Sequence, residues 1–264
     1  MPGAVALAAL RSQIRRIERP AAGLHGVLPF GAAALDRALP QGGLALGAVH
    51  EILGQGGDEE DGAAAAGFAA GILARLGRFP VLWCLKRPDL YGPGLAANGL
   101  DPARLVLVSE SRDERLLWAV EEGLRTGHGA GLAAVVGEIG ALPMVASRRL
   151  QLAAERSGVT ALLLRRWRSG AEAAAERGRP SAAVTRWRVS SLPAAAVVDE
   201  RGAGEPGIGR PRWRVELLRC RGGRPGSWEV EAADATGHVC ISAELADRPA
   251  APRQTYPSPL RRAG

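Results

Sequence analysis

Apolar positions along this chain fall into short continuous runs separated by longer periodic stretches. The run AVHEIL at 48–53 reads as a strand, residues 54–62 as a glycine-rich acidic loop, and AAAAGFAAGILARL at 63–76 as a helix. The unit then recurs, with strands at 80–85, 105–109, 130–136 and 159–164, helices at 112–126 and 146–158, and a loop over 86–100. Strands and helices alternating at these lengths predict an α/β fold, a mostly parallel sheet flanked by helices.

Beyond residue 180 the rhythm changes. Arginine and tryptophan alternate with aliphatics at 184–191, 212–219 and 227–232, which predicts antiparallel strands added on the C-terminal side. Residues 199–211 are rich in Gly and Pro, and 247–264 hold four prolines among polar residues, so a loop and a disordered tail are expected there. At the other end, Leu7, Leu10, Ile14 and Ile17 are spaced as one face of an amphipathic helix over 1–20, with Arg11, Arg15 and Arg16 opposite and Pro20 at its end. That helix can dock on its own core, on a neighbouring subunit or on a partner. The expected organisation is thus a helix at 1–20, a domain at 24–246 and a tail at 247–264.

Composition narrows the picture. Among 264 residues no run of about 18 apolar residues exists to cross a bilayer. The apolar run at 4–10 precedes the first arginines, the reverse of a secretory signal, which leaves the cytoplasm as the expected compartment. Cys84, Cys220 and Cys240 are far apart, and His25, His50, His128 and His238 show no ligand spacing, so neither disulfide, metal nor cofactor is expected. Charge is lopsided: residues 1–144 carry a net −2 and residues 145–264 a net +9, and Lys86 is the single lysine. The basic surface belongs to the second half.

The strand, glycine-rich loop and helix at 48–76 stand where a phosphate-binding protein carries G-x-x-x-x-G-K-[ST], because backbone N–H groups and a helix N-terminus attract phosphate. Here the loop reads Gly54, Gln55, Gly56, Gly57, Asp58, Glu59, Glu60, Asp61. Glu59 falls on the second glycine, Glu60 on the lysine and Asp61 on the magnesium-binding hydroxyl. Like charges about 4 Å apart cost on the order of 4 kcal/mol at an effective dielectric near 20, so four adjacent acids disfavour a bound triphosphate. An acidic run before a helix also caps it and complements its dipole, and the loop is read either as a vestigial phosphate loop or as an ordinary helix start.

The segment FGAAALDRALPQGGLALGAVHEIL at 30–53 resembles the lead into the ATP site of RecA recombinases, through Leu35, Asp36, Ala38, Leu39, Gly42, Gly43, Leu44, Gly47, Glu51 and Ile52. The resemblance extends over about 24–233, strong at its start and weak later. A preserved GGL entry with a degenerate loop on a short Arg-rich chain resembles the ImuA family, inducible mutagenesis protein A, sometimes described as SulA-like. That resemblance implies a RecA-like core without catalysis, a pseudo-ATPase of damage-induced mutagenesis. It implies an ImuB-type Y-family-like partner and an error-prone polymerase III alpha-type subunit, with RecA and single-stranded DNA as further candidates. Lys86 and Arg87 stand where RecA proteins carry the catalytic glutamate, Gly137 where the magnesium-linked aspartate is expected, and Glu138 one position later. An active DNA-dependent ATPase and a SulA-like division inhibitor are the competing expectations.

Arginine beside an aromatic suits stacking on bases and pairing with phosphates, which makes Arg165, Arg166, Trp167 and Arg168 nucleic-acid or filament candidates. Arg219, Arg221 and Arg224, around Gly222 and Gly223, resemble a hairpin near the RecA subunit interface. The competing interpretation of the Arg/Trp alternation is inward and outward residues of ordinary strands, with Trp187, Trp213 and Trp228 in the core. Tyr256, Leu260, Arg261 and Arg262 in the tail read as a docking peptide or as a solubilising end, and Arg11, Arg15 and Arg16 as further docking candidates.

Overall fold

The computed structural model describes residues 25–56, 58–126, 129, 131–167, 169–194, 197–198, 204–205 and 209–245. The expected N-terminal helix at 1–20 and the tail at 247–264 lie outside these residues, and with them Arg11, Arg15, Arg16, Tyr256, Leu260, Arg261 and Arg262.

One nine-stranded sheet organises the chain. It is built from β3 (Val49–Gly54), β4 (Val81–Leu85), β5 (Leu105–Ser109), β6 (Ala134–Ile139), β7 (Thr160–Arg165), β8 (Thr185–Leu192), β11 (Arg212–Cys220), β12 (Gly226–Glu231) and β13 (Cys240–Leu245). The order is β13-β12-β11-β8-β3-β7-β6-β4-β5; small ribbons pair β1 (Val27–Leu28) with β2 (Leu44–Ala45), and β9 (Val197–Val198) with β10 (Gly204–Glu205). Six strands, from β5 to β8, run parallel, and β11, β12 and β13 are antiparallel. β3 is central, hydrogen-bonded to β7 and β8, and every one of its residues is buried. Burial on both faces is why its sequence is a continuous run rather than an alternating one.

Helices cover the two faces differently. α1 (Ala33–Ala38), α2 (Asp58–Ala74) and α3 (Gly92–Ala97) accompany a core containing Phe30, Phe68, Trp83, Trp187 and Trp213. α4 (Asp113–Thr126) and α5 (Met144–Ser157) bury Leu116, Val120, Leu124 and Leu150 against Val135 and Leu163 on the other face, and α6 (Gly170–Arg177) adds Ala173 against Leu53 and Trp167. α2 is covered on its outer side as well. A Cβ at Gly67 would lie 3.0 Å from the Trp213 ring, and one at Gly71 2.8 Å from the Ala233 methyl. The two glycines four residues apart let the C-terminal strands and their turn close down on the helix.

Several expectations need correcting. The strand expected at 184–191 as antiparallel is β8, parallel to β3 and antiparallel only to β11. The reason is α6, an eight-residue crossover helix absent from the expectation: a strand reached through a crossover returns parallel. The expected loop at 86–100 contains α3, the strand expected at 130–136 is β6 at Ala134–Ile139, and β13 was not anticipated. α2 begins at Asp58 rather than Ala63, so the acids expected in the loop form the first turn of the helix.

Candidate functional site

The turn from β3 into α2 lies at the carboxyl end of the central strand, where open α/β sheets hold their ligands. Beside it a cleft of about 500 Å³ is lined by Gly54, Gly56, Tyr91, Glu138, Arg166 and Trp213, among others.

Asp61 is bound by the backbone of its own loop. Four residues into the α2 first turn, its carboxylate reaches back: Oδ2 accepts the backbone N–H groups of Gln55 at 3.1 Å and Gly56 at 3.0 Å, and Oδ1 accepts the Ser191 N–H at 2.9 Å. The side chain is buried. Three N–H groups thus converge on an internal anion, the coordination a glycine-rich loop offers phosphate oxygens. Arg177 closes the loop from α6 by donating to the Gln55 carbonyl. Gly54 is packed under Asp61, where a Cβ would lie 3.0 Å from the Asp61 Cβ. Gly57 lies outside the described residues, and Asp58, Glu59 and Glu60 open α2.

The cations near the cleft are matched by carboxylates. Arg165 donates to Glu51 at 3.0 Å, to Glu176 at 3.2 Å and to the Gly140 carbonyl at 2.8 Å, while Arg186 donates to Glu51 at 3.1 Å. Glu51, the acid of the strand motif, is fully buried between two arginines and Ser181, whose hydroxyl also donates to it. Arg166 makes a two-pronged contact with Asp89, at 2.8 and 2.7 Å, and a third with Glu138 at 2.9 Å. The Arg166 bonds hold the Asp89 carboxyl below the ordinary carboxylate range despite partial burial. Lys86 sits 2.8 Å from Asp113. Burial works to raise Asp113, but Lys86 and the N–H groups of Ala141 and Gly140 outweigh it and leave the carboxyl below its usual value.

Glu138, the one acid at the two positions singled out for ATP chemistry, is occupied within the fold. Glu138 is buried and accepts from the Trp83 indole at 3.0 Å, the Lys86 N–H at 3.2 Å and Arg166. At Gly137 a Cβ would lie 2.6 Å from Val120 Cγ2, so an aspartate does not fit there while α4 packs as it does. Among the described residues no group of His, Cys, Asp and Glu is arranged to hold a metal.

The arginine and tryptophan candidates separate into two places. Arg165 and Trp167 are interior at the carboxyl end of β7, with the guanidinium 5.3 Å from the indole ring and the Trp167 N–H on the Gly140 carbonyl at 3.0 Å. Arg166 is occupied by Asp89 and Glu138, and Arg168 lies outside the described residues. Arg219, Arg221 and Arg224 surround the β11–β12 turn at the opposite end of the sheet, where Cys220 faces Thr185 and Thr185 faces His50. Arg219 donates to the Ser181 carbonyl at 2.9 Å and Arg221 to that of Ala182 at 3.1 Å, while Arg221 and Arg224 are exposed. Trp187, Trp213 and Trp228 are buried, and the arginines between them pair across the strands, Arg188 with Glu216 at 2.6 and 2.5 Å and Arg212 with Glu229 at 2.9 Å. Asp61 as the loop's own anion is the site residue that sequence reasoning placed but gave a different part. The signal available was an acid inside the first helical turn, a position from which carboxylates reach back to free N–H groups.

Fold and site together define an α/β protein whose turn at the carboxyl end of the central strand is closed by its own aspartate. No family model matches the chain. Over 221 residues it is 41% identical to Protein ImuA of Caulobacter vibrioides, from strain NA1000 / CB15N and from strain ATCC 19089 / CIP 103742 / CB 15, covering 80% of this chain and 85% of each relative. The chain belongs to the ImuA family.

Proposed function

We propose that this chain is a non-catalytic, RecA-like accessory protein of damage-induced mutagenesis, active in translesion DNA synthesis through contacts with other proteins. The family name supports the mutagenesis role. The observation that carries the non-catalytic part is the Asp61 carboxylate on the N–H groups of Gln55, Gly56 and Ser191. A triphosphate would have to displace an anion already bound, with Arg165 and Arg166 neutralised by Glu51, Glu176, Asp89 and Glu138. The central parallel strand leading into that turn supports the RecA-like reading. The partners on this reading are an ImuB-type Y-family-like protein and an error-prone polymerase III alpha-type subunit, with RecA and single-stranded DNA as further contacts.

Steady-state ATP hydrolysis by the full chain, with and without single-stranded DNA, tests the proposal. No turnover is expected under either condition, and hydrolysis stimulated by DNA rejects it. Co-purification from DNA-damaged cells tests the partners, which should be recovered together with this chain.

A further inference from the structure

All six tryptophans lie in the described residues. Trp83, Trp167, Trp187, Trp213 and Trp228 are at most 5% exposed; Trp118, on α4, is 65% exposed. α4 buries Leu116, Leu117, Val120, Gly123 and Leu124, and helical spacing turns Trp118 to the opposite side. On the neighbouring α5, Ser147, Leu150, Gln151 and Ala154 face inward, and Val145, Arg148, Leu152 and Arg156 form the outer stripe. Val145 and Leu152 are 70% and 50% exposed.

The two outer faces make one surface. α4 and α5 pack side by side, and both return from the carboxyl to the amino ends of parallel strands, so they run in the same direction. Arg149 Nε donates to Glu121 at 3.2 Å and ties them together. Trp118 is one turn before Glu121 and Val145 one turn before Arg149, which puts the two apolar side chains at the same level, with Leu152 a turn further on. The charges around them are unequal. Arg115 pairs with Glu110, Arg125 with Glu122 and Arg149 with Glu121. Arg148 and Arg156 are exposed with no carboxylate partner among the described residues, against the one exposed unpaired acid Glu114. An apolar centre beside uncompensated arginines remains.

We propose that the α4–α5 face docks a second protein through an acidic amphipathic helix, its aliphatic side chains over Trp118, Val145 and Leu152 and its carboxylates on Arg148 and Arg156. The groove between two parallel helices accepts a third helix. Tryptophan and arginine are the residue types that carry most binding energy at interfaces. Charge decides among occupants. A second copy would bring as many arginines as acids to the face and leave Arg148 and Arg156 without a net counter-charge, and a phosphate backbone would leave Trp118, Val145 and Leu152 uncovered. The inference rests on the accessory reading only in expecting a protein partner. A failed nucleotide argument would appear as ATP binding, whereas failure here appears in the crosslinks below.

The test places the photo-crosslinking residue benzoylphenylalanine at position 118 of the full chain, expressed in its own DNA-damaged cells, with the crosslinked peptide sequenced by mass spectrometry. The same label at Phe79, exposed outside this face, is the control. The expected product is a peptide of a different protein, rich in Asp and Glu, with aliphatics at helical spacing. The double variant Arg148→Glu with Arg156→Glu should lower its yield about tenfold, the loss of roughly 1.4 kcal/mol of binding, at an unchanged unfolding midpoint. Crosslinks to a copy of this chain, to nucleic acid or to a basic segment overturn the proposal. So does a yield no greater than at Phe79, or one that charge reversal leaves unaltered.

Discussion

Arginine and tryptophan both occur in two regions on the same side of the sheet, one interior and one exposed, and the two regions treat them in opposite ways. Arg165, Trp167 and Arg186 are interior: the charges of the two arginines are met by Glu51 and Glu176, and Arg165 and Trp167 both donate to the Gly140 carbonyl. Trp118, Arg148 and Arg156 stand on the outer face of α4 and α5, with no carboxylate of the chain set against either arginine among the described residues. Residue type is the same in both. What differs is whether the fold supplies the anion, and a side chain suited to gripping a partner serves its own fold when it does. The turn from β3 into α2 follows the inner pattern, since its N–H groups point at a carboxylate of the same chain.

The contrast can be broken most severely at Glu51. Glu51→Gln leaves Arg165 and Arg186 buried without their shared carboxylate, and breaking a buried pair from one side costs roughly 3–5 kcal/mol. Chemical denaturation should show that loss, and a change under about 1 kcal/mol would remove the distinction between the inner and outer clusters.

The interior also carries a titration signature. His50 is fully buried, with Nδ1 at 2.7 Å from the Thr185 hydroxyl and Nε2 at 2.8 Å from the Ala45 carbonyl, and burial pushes its pKa down from 6.5 to about 4, against the pull of that carbonyl. The unfolded chain therefore binds the proton first. Stability is full above pH 6.5 and declines by on the order of 2–3 kcal/mol as pH falls to 4. Unfolding measured across that range should lose this slope in His50→Gln and keep it in Arg148→Ala.

Asp61→Ala sharpens the comparison at the loop. It strips the acceptor from the N–H groups of Gln55, Gly56 and Ser191, with an expected cost of about 1–3 kcal/mol by denaturant titration. The smallest effect belongs to the outer face: Trp118→Ala and Arg148→Ala should each stay within about 0.5 kcal/mol of the parent chain.

Much of the fold was legible because its strands are unambiguous. β3 and β7 are buried throughout, so their apolar runs mark them, and the strand at Leu105–Ser109 stood where its residues predict, whereas β6 begins four residues later than expected. The direction of β8 was hidden, because Arg and Trp alternate alike in parallel and antiparallel strands and the Ala/Glu-rich α6 that reverses the chain has only two turns. At the loop, composition exposed the run of acids but not the part Asp61 plays. That depends on Ser191, 130 residues away in the chain, and on α2 starting at Asp58. The engagement of Glu138 was out of reach for the same reason, since its partners Trp83 and Arg166 are 55 and 28 residues distant.

The most direct test of the closed loop is calorimetric titration of Mg-ATP into the full chain. No saturable heat is predicted up to millimolar nucleotide, because the N–H groups that would hold phosphate are already bonded to Asp61. Micromolar binding of Mg-ATP would contradict the account.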